Sequence, residues 1–260
     1  MAQALVGPGP GDPRTPRLGR PVRGSTTTGT MDGVVLLLPD GTPESARGAS
    51  LLAHAALLPL ARRLVRAAAP GHGLTAQVVR YRGRGWNGAD ARLAADARWA
   101  VAETVRRHGD VPVCLVGHGM GARAALWAAG HEAVVSVLAL APWLPGDDVA
   151  AEPEPVRQLV GRQVMLVHGT TDAEAAPERS YRLAVRAKKA NRSTCRFEVH
   201  SDGHALRQHH EEVLSLAADF VIGSLLGRPY ARPVADAFAA PPPLGLRMPL
   251  AAGFGRSLRV

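Results

Sequence analysis

Six short apolar runs, each separated from the next by a segment of helical periodicity, constrain this 260-residue chain more than any other feature. They lie at residues 34–38, 76–80, 113–116, 134–140, 164–167 and 195–199, and most are continuous rather than alternating in hydrophobicity. That is the pattern of strands buried on both faces of a parallel sheet. Between them, Leu93, Ala97, Val101 and Val105 form a stripe at i, i+4 spacing. Leu52, Ala56, Leu60 and Leu64 form another, in which Pro59 should kink or restart the helix. Leu206, His210, Val213, Ala217 and Val221 make a third. This alternation predicts an α/β fold with an open, doubly wound, mostly parallel sheet of about six strands and right-handed connections. Such a sheet carries its functional loops at the carboxyl ends of its strands. Here those loops follow Leu38, Arg80, Val116, Leu140, Val167 and Val199.

The flanks read differently. Residues 1–30 are rich in Gly, Pro, Thr and Arg without periodicity, and residues 228–260 include Pro241-Pro242-Pro243. Both are expected to be disordered, leaving 31–227 as the folded domain. Met31 directly precedes the first strong strand and is a second candidate start. The formal net charge of +9 sits mostly in these flanks, with four arginines against Asp12 in the first and five against Asp236 in the second. No basic stripe interleaved with aromatics runs through the body, which argues against a nucleic-acid partner. No apolar run approaches the ~20 residues of a membrane span, and the N-terminus has no signal-peptide hydrophobic region. A cytoplasmic protein without a membrane partner is therefore expected. Cys114 and Cys195, the only cysteines, lie in strand runs and read as buried thiols.

Three strand-end loops carry chemistry. After 113–116 comes Gly117-His118-Gly119-Met120-Gly121-Ala122-Arg123, opening a helix of small residues. After 164–167 comes His168-Gly169-Thr170-Thr171-Asp172, and after 195–199 comes Ser201-Asp202-Gly203-His204. The first differs at one position from the Gly-x-Ser-x-Gly nucleophile elbow, and the order elbow, acid, histidine is that of the α/β-hydrolases. Residues 31–227 resemble a short α/β-hydrolase of the dienelactone-hydrolase or serine-esterase type without a cap domain. In that family Gly117–Arg123 would commonly read G-H-S-M-G-G-R, so Gly119 stands at the vacant nucleophile position. The resemblance implies His204 as general base, oriented by Asp172. It implies Met120 N–H as one oxyanion-hole donor and a backbone N–H of Gly41 or Thr42 as the other. Asp40 departs from the family, whose members carry His or Gly in that stretch. A carboxylate beside an oxyanion hole opposes the developing charge unless it points away.

Each residue also has a structural reading. Asp172 before Ala173-Glu174-Ala175 could be a helix N-cap, and His204 could be a surface residue. His118, Trp86 and Trp143 stand in strand-end loops where they could line a pocket; the two tryptophans could equally pack those loops down. His200, His204, His209 and His210 match no strong ligand spacing, so no metal site is expected. Gly83-x-Gly85 is too short for a dinucleotide fingerprint, and no cofactor is expected. Without the serine, covalent catalysis is lost and only ~10³–10⁴-fold acceleration over water would survive. Three readings follow. The chain is a hydrolytically impaired relative that binds a small ester- or acyl-like molecule or a partner; or it uses the His204–Asp172 dyad with water, as a hydrolase or lyase; or it is a serine hydrolase with a point change at residue 119.

Overall fold

The computed structural model describes residues 15–24, 31–68, 71–146 and 153–255. In chain order the elements are β1 (Arg17–Leu18), β2 (Val22–Arg23), β3 (Gly33–Leu38), α1 (Leu51–Ala56), α2 (Leu58–Ala67) and β4 (Leu74–Arg80). Then come α3 (Arg92–His108), β5 (Val113–His118), α4 (Met120–Ala128), β6 (Val134–Leu140) and β7 (Gln163–Gly169). The chain continues with α5 (Pro177–Ala190), β8 (Thr194–Val199), α6 (His210–Leu226), α7 (Arg232–Ala239) and β9 (Met248–Pro249).

Successive side chains of a strand point to opposite faces of its sheet, and this sheet is covered on both. Val34, Leu36 and Leu38 of β3, with Val113 and Leu115 of β5, pack with Leu93, Ala97 and Val101 of α3 and with the small residues of α4. Val35, Leu37, Cys114 and Val116 face the other way, onto Leu60 and Leu64 of α2 and Val213, Ala217, Phe220 and Val221 of α6. Six strands run parallel in the order β4-β3-β5-β6-β7-β8. These are the six runs expected from the sequence, in a doubly wound α/β sheet. The chain reverses its direction of winding at β3, with β4 on one side and β5 on the other. The crevice at such a switch point is where an open α/β sheet places its ligand.

Two departures concern the flanks and one a helix. Residues 15–24 do not read as disordered: β1 and β2 pair antiparallel with β4, and the Gln77 side chain holds Gly19 O at 2.9 Å. The C-terminal flank is tied down by buried cations. Arg196 of β8, 1% exposed, donates to Glu198, Ser180 and Leu246 O, while Lys188 donates to Thr194 O and Phe238 O. Asp219 accepts from Ala231 N, and β9 adds to the sheet beside β8. The expected disorder of residues 1–14, 25–30 and 256–260 lies outside the described residues. Around Pro59 the helix does restart, as α1 and α2, but α1 buries nothing and Leu52 is 84% exposed. No described helix is long and apolar enough to cross a membrane.

Candidate active site

The registry of β3 against β5 builds the site. Leu38 pairs with Gly117, so both strands leave the sheet side by side and bring residues 40 and 119 together two positions later. Gly119 has φ +55° and ψ −120°, a conformation that costs an L-residue about 1–3 kcal/mol and glycine little. Gly121 lets α4 start against the end of β3, where a Cβ would collide with Leu38 O. The turn thus has the sharp strand-to-helix geometry expected from its Gly-x-Gly-x-Gly sequence.

Asp40 lies beside Gly119. A Cβ added at Gly119 would collide with the Asp40 carboxylate. Asp40 Oδ1 accepts the N–H of Gly41 at 2.7 Å and of Met120 at 2.8 Å. These are two of the donors expected to form an oxyanion hole, and they converge on one carboxylate oxygen. Burial works against the Asp40 anion, but His204, His118 and these two N–H groups outweigh it and lower its pKa. Thr42, the other candidate donor, is used elsewhere: its N–H donates to Arg84 O at 2.8 Å.

His204 and Asp172 are brought together, with Nδ1 at 2.9 Å from Asp172 Oδ2. Asp172 also caps the turn before α5, its Oδ1 accepting from Glu174 N and Ala175 N, and its Oδ2 faces His168 at 3.1 Å. The structural and functional readings of Asp172 therefore use different oxygens of one side chain. Burial raises its pKa, but His168, the Ala175 N–H and His204 together hold it below the usual carboxylate range. The other ring nitrogen of His204, Nε2, lies 3.6 Å from Asp40 Oδ2. Burial disfavours the imidazolium, yet the carboxylates of Asp40 and Asp172 prevail and raise its pKa to about 9.

His118 joins the same cluster. Its Nε2 lies 2.9 Å from His204 O, a carbonyl that can only accept, so Nε2 carries the proton. Its Nδ1 is turned toward Asp40 Oδ2 at 4.0 Å; burial lowers the pKa of the ring, and the Asp40 carboxylate works against that shift. The tryptophans divide. Trp86, 3% exposed, is a core residue rather than a pocket wall: Arg123 lies 3.9 Å over its ring, and it packs edge-on against Trp127. Trp143 is half-buried beside the elbow, its backbone N–H donating to Gly119 O at 3.1 Å. Cys114, buried in β5, has its thiol pushed up to about 12 by burial. Sequence reasoning placed the Asp40 carboxylate beside the expected oxyanion hole but did not show that it turns into the space beside Gly119. The signal that could have found it is the pairing of an unexpected carboxylate with a side chain missing from the adjacent strand.

The fold is that of the α/β-hydrolases of the esterase and dienelactone-hydrolase type. Among solved structures, Est1E from Butyrivibrio proteoclasticus superposes with a TM-score of 0.57 at 14% identity, covering 79% of this chain and 93% of that one. A protein described as a dienelactone hydrolase from Klebsiella pneumoniae gives 0.56 at 16% identity, covering 80% and 99%. XC6422 from Xanthomonas campestris, described as an α/β serine hydrolase without lid, gives 0.58 at 14% identity, covering 83% and 97%. No protein-family model matches the chain, and no curated protein matches it by sequence.

Proposed function

We propose that this chain is an α/β-hydrolase-fold protein that does not perform serine-type acyl transfer, its serine site having been rebuilt around the Asp40 carboxylate for binding rather than hydrolysis. The observation that carries this reading is the position of Asp40, which fills the space of the absent nucleophile and satisfies the N–H groups of Gly41 and Met120. An acyl substrate would have to present its developing oxyanion to donors already engaged by an anion. The same geometry speaks against a point change at residue 119. A serine there would meet Asp40, so glycine and aspartate form one arrangement. Neighbours described as esterases share the scaffold, and this chain adds to it a hydrogen-bonded His204–Asp172 pair.

The test is treatment of the intact chain with a serine-directed phosphonate, read by mass, together with short-chain aryl ester hydrolysis in the presence of a chelator. The expected result is no covalent adduct and no hydrolysis above the uncatalysed rate. A single phosphonate adduct, or hydrolysis abolished by His204→Ala, would overturn the reading.

A further inference from the structure

We propose that Asp40 Oδ2, His118 Nδ1 and His204 Nε2 form a binding site for a divalent transition-metal ion of the zinc class. The proposal rests on the rebuilt-site reading above and gives that site its ligand.

The three donor atoms come from the ends of three different strands and lie within 4.8 Å of one another. Asp40 Oδ2 is 3.6 Å from His204 Nε2 and 4.0 Å from His118 Nδ1. Around a tetrahedral ion with bonds of about 2.0–2.1 Å, neighbouring ligand atoms stand about 3.4 Å apart. Closing the cluster onto an ion therefore needs its donor pairs to draw together by up to about 1.4 Å.

The outer contacts already fix each ligand. A metal-binding histidine donates its second ring N–H to a carboxylate or a backbone carbonyl, which sets the tautomer and aims the lone pair. His204 Nδ1 is bonded to Asp172 Oδ2, and His118 Nε2 to His204 O. Both remaining nitrogens face one carboxylate oxygen. Asp40 Oδ1 absorbs the N–H groups of Gly41 and Met120, which would otherwise repel a cation, leaving Oδ2 to coordinate. Two imidazoles and one carboxylate suit zinc-class ions better than magnesium or calcium, which prefer all-oxygen sites. Three protein ligands leave a fourth position open. The side chains of Asp40 and His118 are 33% and 22% exposed, so an ion can enter from solvent.

Sequence spacing gave no expectation of a metal site, because the histidines near residue 204 match no ligand pattern and Asp40 and His118 lie far from them in the chain.

The full chain, stripped with chelator, is titrated with Co²⁺ followed by visible absorption and with Zn²⁺ against a colorimetric competitor. One ion per chain is expected. Asp40→Asn and His118→Ala should each weaken binding at least about tenfold, and Asp172→Asn about 10–100-fold, with circular dichroism unchanged. His200→Gln with His210→Gln, both exposed residues, should leave it intact. No saturable binding up to about 100 μM ion would overturn the proposal. So would binding that survives Asp40→Asn and His118→Ala, or binding lost with the two exposed histidines. A phosphonate adduct reports only a serine nucleophile, so it sinks the rebuilt-site reading without touching the metal titration.

Discussion

At residue 119 a single missing side chain decides what its neighbours can be. With glycine there, Asp40 reaches the N–H groups of Gly41 and Met120 at 2.7 and 2.8 Å, in space that a side chain at residue 119 would claim. Gly119→Ser alone should therefore destabilise the protein, because the new Cβ meets the carboxylate and the backbone there is left-handed. A loss of about 1–3 kcal/mol is expected, read as a lower denaturation midpoint. Adding Asp40→Ala should recover part of it by removing the collision. A serine variant as stable as the native chain would mean that Asp40 moves aside at no cost. The order of elbow, acid and histidine was legible in the sequence because each stands in its own strand-end loop. The aim of the Asp40 side chain was not, since it depends on space opened by a residue 79 positions away and on the β3–β5 registry.

Among the elements, what was legible tracks what local pattern can encode. The six long strands are apolar on both faces, so their runs show without knowledge of partners. The two-residue strands β1, β2 and β9 carry no such signal. Their order comes from contacts made by other elements. Arg196 is the clearest case: a buried guanidinium bonded to Glu198, Ser180 and Leu246 O links β8 to the C-terminal flank. Burial lowers its pKa, and Glu198 works against that shift. Arg196→Ala should cost about 3 kcal/mol by removing one partner of a buried pair. It should also open the segment around Leu244–Leu246 to proteolysis. Digestion no faster than in the native chain would show that α7 and β9 hold without it.

Across the whole molecule, the flanks close what the central sheet leaves open. β1 and β2 cover the outer edge of β4, an edge that would otherwise present unpaired N–H and C=O groups. A chain beginning at Met31 should melt at a lower temperature and self-associate, as read by differential scanning fluorimetry and light scattering. An unchanged melting temperature and a monodisperse sample would show that the edge needs no cover. The site sits at the switch point of that same sheet, where β3 and β5 deliver Asp40 and Gly119 side by side. The most direct measurement is phosphonate labelling of Gly119→Ser beside Asp40→Ala with Gly119→Ser. The double variant should gain a serine adduct that the single variant lacks, because only there are the nucleophile and the oxyanion hole both free. Equal labelling of the two would contradict the claim that Asp40 holds the site.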